Sequence, residues 1–301
     1  MLNIAFHPIF AHDLPRGHRF PMLKYELLPQ QLLREGTCET HHFFEPEKMV
    51  DLTPILKIHD PEYVYDLLNL TLNQKAARKI GFPLSEVLIE REIIIADGTM
   101  KCCDYALKYG IAMNIAGGTH HAYTNRGEAF CMFNDQAIGA NYLLEKQLAQ
   151  RILIVDLDVH QGNGTAEIFE NNPNVFTFSM HGKNNYPFKK ETSDLDIELD
   201  DGISDDAYLS ILKDTLPKLI KIHKPDFIFY LSGVDVLASD KLGKLGLTIN
   251  GCKERDFFVL QTCKQLQIPV MCSMGGGYSA DIKIIIEAHA NTFRVAQHLF
   301  F

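Results

Sequence analysis

The sequence predicts an α/β fold, in which a mainly parallel sheet is covered by helices on both faces. Short apolar segments alternate along the chain with longer amphipathic ones, and this order is typical of βαβ units. Two of the short segments, 152–156 and 227–231, are apolar almost throughout, as strands buried on both faces of a parallel sheet are. No repeat, low-complexity stretch or flexible linker interrupts the pattern, so we expect a single domain over residues 1–301.

Seven short segments rich in β-branched or aromatic residues are predicted as strands, and six amphipathic segments as helices. The strand segments are 3–6, 40–44, 111–115, 152–156, 175–180, 227–231 and 270–274. The helix segments are 20–33, 61–72, 134–148, 204–223, 251–266 and 279–299. Pro61 suits the first turn of its helix, and Ser204 and Asn250 are suitable N-caps. The acidic stretch 194–206 is predicted to be a solvated edge and turn.

The composition excludes several classes of protein. The chain has 301 residues, with 29 Lys and Arg against 38 Asp and Glu, and a net charge of −9. An acidic chain is not expected to bind nucleic acid directly. The seven cysteines lack CxxC spacing and are expected to be reduced and buried. Because we find neither a signal pattern nor an apolar run of roughly 20 residues, we expect a cytoplasmic protein without a membrane span.

Four predicted strand ends carry side chains that could take part in binding or catalysis. In an open parallel sheet, ligands bind beyond the carboxyl ends of the strands. The motifs at these ends are GGTHHA at 117–122, DLDVHQGNG at 156–164, LSGVDVLASD at 231–240 and MGGGY at 274–278. We therefore expect the functional residues to lie in these four motifs.

The second and third motifs indicate a metal site. Asp156, Asp158 and His160 alternate along the chain, and alternate residues of an extended segment face the same way. Two carboxylates and an imidazole close together need a cation, and this set suits zinc or a related ion. With Asp235 as third protein ligand, the set has the open position of a catalytic zinc site. Taken alone, the second motif also fits a surface turn, and Asp235 a helix cap.

The first and fourth motifs supply groups for proton transfer. His120 and His121 are candidate general acid and base groups, since histidine titrates near neutrality, although buried structural histidines fit as well. Asp156 and Asn163 are available to orient them. The phenol of Tyr278 could donate to a developing oxyanion, and the alternative is a glycine-rich turn without a chemical role.

Together the motifs GGTHHA, DLDVHQGNG, SGVDVLASDKLG and GGGY, in that order, resemble the histone deacetylase superfamily. PRGHRFPMLKYELL and NRGEAFCMFND look most like its class IV branch. The resemblance implies a three-layer arginase/deacetylase-like fold, with a mainly parallel sheet of about eight strands. It also implies that Zn²⁺ binds to Asp158, His160 and Asp235.

The resemblance further implies a role for each catalytic group. His121 would be the general base and then the general acid, with His120 as an electrostatic partner. Asp156 would orient His120, and Tyr278 would polarise the acyl carbonyl. Asn163 stands where class I enzymes carry Asp, so His121 would have a neutral partner and be less basic.

The same resemblance implies a tunnel for an acyl-lysine side chain. Phe130 and Tyr186 would flank it, and Ala129 replaces a usual glycine at its wall. Thr119 stands where many relatives carry an aromatic, and Asp97 is our candidate for the acidic loop residue that grips the substrate backbone. A potassium ion is often held near the zinc strand in this superfamily. The matching positions are Asp156, Asp158, His160, Ser179 and Met180.

We therefore expect a zinc-dependent hydrolase that removes acetyl or longer acyl groups from lysine ε-amines of proteins or peptides. The space that Thr119 leaves, with the class IV resemblance, favours acyl chains longer than acetyl. The alternative is a deacylase of small acylated amines such as acetylpolyamines, which would use the same metal site. An arginase-type enzyme would need a second metal and further ligands, and a non-catalytic reader would lack Tyr278 or a ligand.

Overall fold

The computed structural model describes the whole chain, Met1–Phe301, and contains one eight-stranded sheet. All neighbouring strands pair in parallel, in the order β2-β1-β3-β8-β7-β4-β5-β6. The strands are β1 (Asn3–Ala5), β2 (Phe43–Phe44), β3 (Ile111–Asn114), β4 (Ile152–Asp156), β5 (Val175–Gly182), β6 (Leu195–Leu199), β7 (Phe227–Leu231) and β8 (Val270–Ser273). The predicted α/β fold with a parallel sheet of about eight strands is confirmed.

Ten α-helices accompany the sheet. They are α1 (Lys24–Arg34), α2 (Thr53–Leu56), α3 (Pro61–Leu68), α4 (Gln74–Ile80), α5 (Glu86–Tyr109), α6 (Asp135–Glu145), α7 (Asn163–Phe169), α8 (Asp205–His223), α9 (Ile249–Leu266) and α10 (Ile282–Phe300). None of them is long and apolar enough to cross a membrane.

The central strands are buried on both faces, as their apolar sequences predict. Leu153 and Val155 of β4 join a large apolar cluster that includes side chains of α8, α9 and α10. Ile152 and Ile154 point the other way, into a second cluster that includes side chains of α6. Because residues of one strand alternate between the two clusters, helices cover both faces of the sheet.

The two most apolar strand predictions coincide with β4 and β7, and the others differ at their ends. Segment 40–44 forms a short 3₁₀ turn before the two-residue strand β2. The first helix begins at Lys24 because a turn precedes it. Asn250 is not a cap, since α9 begins earlier and its N-cap is Thr248, whose Oγ1 accepts a hydrogen bond from Gly251 N at 3.0 Å. Pro61 and Ser204 hold the predicted positions.

Five elements do not appear among the predictions: α2, α4, α5, α7 and β6. The helix α5 is 24 residues long and buries side chains on several sides, including Arg91 and Glu92, so its sequence lacks a single apolar stripe. The strand β6 lies within the acidic stretch 194–206, where we expected only an edge and turn. It pairs with β5 alone and most of its residues are only partly buried, which explains its polar sequence. All seven cysteines are free and buried, as expected.

Candidate active site

The second and third motifs meet at the carboxyl ends of β4 and β7, which pair in the sheet. Asp158, His160 and Asp235 lie there, all buried, and their candidate ligand atoms are within 4.8 Å of one another. The Nδ1 atom of His160 lies 3.0 Å from Asp158 Oδ1 and 3.3 Å from Asp235 Oδ2. The structure thus brings together one nitrogen and two carboxylate donors from three separate positions.

The electrostatics of this cluster fit a metal cation. The oxygen Oδ2 of Asp235 is buried without a hydrogen-bond partner, and such an atom is costly unless something else binds it. Burial, and next the charge of Asp158, raise the pKa of Asp235 to about 7. Burial opposes protonation of His160, but the nearby carboxylates of Asp158 and Asp235 outweigh burial and raise the pKa of His160 to about 10. The charge of Asp158 contributes to the first shift and both carboxylates cause the second, so the cluster carries negative charge that a divalent cation would compensate.

A buried arginine ties the two ligand loops together, and the sequence patterns did not indicate it. Arg255 of α9 is fully buried and forms an ion pair with Asp256. Its guanidinium donates to the carbonyls of Leu157 (3.1 Å), Gly233 (2.7 Å) and Ser232 (3.2 Å). Leu157 immediately precedes the first ligand, and Ser232 and Gly233 lie just before the third. One planar group therefore fixes the separation of the two loops.

The two adjacent histidines diverge towards separate partners. His120 Nδ1 lies 2.7 Å from Asp156 Oδ2, and His121 Nδ1 lies 2.6 Å from Asn163 Oδ1. Burial, and then the neighbouring His120 and His160, hold the pKa of His121 well below its usual value. Burial opposes the charge on His120, but Asp156 outweighs it and raises the pKa of His120.

A further tyrosine determines which nitrogen of His121 is free, and no sequence motif contained it. Asn163 Nδ2 donates to the hydroxyl of Tyr123 at 2.8 Å, and this hydroxyl donates to Glu191 at 3.2 Å. The oxygen of the Asn163 amide therefore faces His121, so Nδ1 of His121 carries the proton. Its Nε2 atom is left to accept a proton.

The glycine run after β8 brings the backbone close to the ligands and positions Tyr278. Gly275 has φ +71°, in the region that favours glycine. Gly276 N donates to Asp158 Oδ2 at 2.9 Å. Tyr278 N donates to Asp240 Oδ2 at 2.6 Å, and the Tyr278 ring packs 5.9 Å from the ring of Phe20. The run is thus a tight turn that also carries the phenol to the site.

Aromatic side chains line the approach to the cluster. The Tyr186 ring lies edge-on, 5.0 Å from the ring of His121. Phe130 packs against Phe20 and Phe82, each with ring centroids 5.0 Å away, and both of these are additions to the predicted set. Ala129 has φ +44°, which is unfavourable for a residue with a side chain and explains why glycine suits this position.

A small cavity of about 40 Å³ adjoins the cluster, and its lining also includes Tyr25, Arg91 and Ile95. Close by, Lys24 is buried and donates through Nζ to Gly275 O at 3.0 Å, and burial lowers its pKa to about 8. Lys24 and Arg91 were not among the predicted residues, because a lone cation in a helix is normally solvent-exposed.

Two other sets of predicted residues lie elsewhere. The choice of Asp97 is wrong, since it belongs to α5 and lies outside the tunnel lining. Its carboxylate accepts from Glu47 N at 2.7 Å and pairs with Lys101 at 3.0 Å. Ser179 and Met180 lie on β5, with Ser179 in register with Asp156. The potassium site there stays a prediction.

Comparison with known proteins identifies the family. The histone deacetylase domain matches residues 18–293. The chain belongs to the histone deacetylase family. An uncharacterised protein of Picosynechococcus sp. is 43% identical over 297 residues and covers 99% of both chains. Histone deacetylase 9 of Arabidopsis thaliana is 30% identical over 304 residues, which span 91% of this chain and 66% of that protein.

Other relatives in the histone deacetylase family are bacterial. The acetoin utilization protein AcuC of Staphylococcus xylosus is 27% identical over 313 residues, covering 95% of this chain and 80% of that protein. The crystal structure of a histone deacetylase homologue from Aquifex aeolicus superposes with a TM-score of 0.84 at 22% identity, covering 98% of this chain and 84% of that one. Family membership supports a deacetylase hydrolase, whereas the class IV branch stays a prediction.

Proposed function

We propose that this protein is a zinc-dependent hydrolase that removes acetyl groups from lysine ε-amines of proteins or peptides. The observation that carries the proposal is the cluster of Asp158, His160 and Asp235 beside His121 and Tyr278, at the end of an aromatic-lined approach. Residues from both halves of the chain supply this one site, so we propose that residues 1–301 act as one catalytic domain.

The three clustered side chains would hold the zinc through Asp158, His160 Nδ1 and Asp235 Oδ2. Zinc bound there would act as a Lewis acid that polarises the acyl carbonyl and makes water more acidic. His121 Nε2 would take the proton from the attacking water and then deliver it to the leaving amine. The hydroxyl of Tyr278 would donate to the acyl oxygen as negative charge develops.

The small volume of the cavity beside the cluster supports a short acyl group instead of the longer chains that the sequence favoured. Thr119 does not open space, since its hydroxyl bonds to Phe133 O and to Asp135 Oδ1. The cavity of about 40 Å³ has Tyr25 and Arg91 in its lining. Since one water needs at least about 10–15 Å³, a space of about 40 Å³ is small and supports a short acyl group such as acetyl.

Tyr278→Phe tests the proposal on zinc-loaded protein with an acetyl-lysine peptide. Loss of one donor to the developing oxyanion should lower kcat about 100- to 1000-fold, with a much smaller change in KM. Tyr105→Phe is the matched control, because Tyr105 packs against Phe44 away from the site and should keep wild-type kinetics. Unchanged kcat in Tyr278→Phe, or no hydrolysis by the zinc-loaded wild type, would contradict the proposed function.

A further inference from the structure

Outside the aromatic approach, the surface widens into a groove of about 810 Å³ that we call the mouth groove. Its cationic side chains are Arg19, Lys79, Arg126, Lys189 and Lys244. Glu128 is the single carboxylate that lines it. This local excess of positive charge contrasts with the net charge of −9 on the whole chain.

The charge of Glu128 is already neutralised within the mouth groove. Its carboxylate accepts from Lys79 Nζ at 3.0 Å and from Arg126 Nε at 3.1 Å, and the hydroxyl of Tyr186 donates to it as well. Burial opposes ionisation, but the bonds from Tyr186, Lys79 and Arg126 outweigh it and lower the pKa of Glu128. Glu128 therefore stays ionised, and its charge is offset by two of the five cations.

The other three cations have no carboxylate partner within 4.0 Å. They are Arg19, Lys189 and Lys244. All three residues are exposed, and the guanidinium of Arg19 lies 4.9 Å from the centre of the Phe130 ring, at the entrance itself. Next to Lys189, the side chain of Phe188 is 92% exposed. The groove thus offers unpaired positive charge and an apolar contact around the tunnel entrance.

We infer that the mouth groove binds acidic polypeptide segments, so that the preferred substrate is an acyl-lysine flanked by Asp or Glu. The inference rests on the proposed function, since the tunnel must take the lysine side chain. Clustered charge of one sign attracts oppositely charged partners and repels like-charged ones. Basic flanking sequences and acetylpolyamines, which keep ammonium groups, would be repelled by Arg19, Lys189 and Lys244.

The test compares kcat/KM for acetyl-lysine peptides that differ only in four flanking residues, which are all Asp, all Gln or all Lys. At low salt we expect the Asp peptide to exceed the Lys peptide by on the order of tenfold. The ratio should approach one near 1 M salt, where the Debye length falls to about 3 Å. An acetylated diamine and a free acetyl-lysine with a blocked α-amine serve as small cationic and small anionic substrates.

Charge-reversal variants test whether the cations of the mouth groove cause the preference for acidic peptides. Lys189→Glu combined with Lys244→Glu should invert the preference, so that the Lys peptide becomes the better substrate. The control combines Lys213→Glu with Lys221→Glu, on exposed positions of α8 outside the groove. It changes the net charge equally and should keep the wild-type ratio.

The outcomes separate this inference from the proposed function. Equal kcat/KM for all three peptides, or an equal change in the control, overturns the inference and leaves the deacetylase intact. If the small anionic substrate matches the Asp peptide, the groove does not recognise a polypeptide. If none of the peptides is hydrolysed by the zinc-loaded protein, the proposed function fails and the inference fails with it.

Discussion

At the scale of single residues, the neutral partner of His121 has the clearest chemical consequence. Asn163 contributes an amide oxygen at 2.6 Å, and its own NH₂ group is committed to Tyr123. An amide orients the imidazole but offers no charge to stabilise the imidazolium. Together with burial, this keeps the pKa of His121 low, so the ring remains available as a base in mildly acidic solution.

Asn163→Asp should therefore shift the pH dependence. A carboxylate within hydrogen-bond distance stabilises the imidazolium and so raises the pKa of a histidine. Because the base must be unprotonated, the acidic limb of the kcat/KM profile should move to higher pH. Asn171→Asp adds the same charge at an exposed position and should leave the profile unchanged. A profile for Asn163→Asp that coincides with the wild type would show that Asn163 does not act through His121.

At the scale of secondary-structure elements, apolar runs and helix periodicity account for the accurate predictions and for the failures. The strands β4 and β7 could be predicted because both of their faces are buried, which leaves a continuous apolar run. The helix α5 could not be predicted, since Arg91 and Glu92 pair inside the protein and interrupt its apolar periodicity. The start of α9 was misplaced by two residues because both Thr248 and Asn250 suit an N-cap, and only the fold distinguishes them.

Replacement of Thr248 tests the start of α9. Thr248 Oγ1 accepts from Gly251 N, and it also bonds to Asp205 Oδ2 at 2.6 Å. Thr248→Ala should lower the free energy of unfolding by about 0.5–2 kcal/mol in denaturant titration. Asn250→Ala is the matched control, because Asn250 is exposed, and it should change stability by less than about 0.5 kcal/mol. Equal destabilisation by the two variants would contradict this cap assignment.

At the scale of the whole molecule, contiguous motifs could be recognised in the sequence, but residues that the fold gathers from distant segments could not. The candidate metal ligands lie in two short motifs at strand ends, and the order of the four motifs carried the family resemblance. The mouth groove combines Arg19 before α1, Lys79 of α4, and Lys189 and Lys244 from loops far along the chain. No local pattern links these four cations, so their common location follows only from the packing of the elements.

Zinc should stabilise the whole fold by binding the native state alone. At a free zinc concentration 100 times the dissociation constant, the stabilisation is about 2.7 kcal/mol, which corresponds to a rise in Tm of several degrees. Calorimetry of chelator-treated protein, with and without added zinc, measures this rise. Asp235→Ala should abolish it, and Asp214→Ala, which changes an exposed carboxylate of α8, should retain it. A full zinc-dependent rise in Asp235→Ala would remove Asp235 from the ligand set.

The hydrogen bonds of the buried Arg255 guanidinium also have a consequence for ion binding. The buried guanidinium donates hydrogen bonds to the carbonyl oxygens of Leu157, Ser232 and Gly233. The two ligand loops are therefore ordered when the protein folds, and the conformational entropy of ordering them does not oppose binding of the ion. Such preorganisation leaves ion capture to be governed by the donor atoms and by the removal of water, with little rearrangement of the backbone.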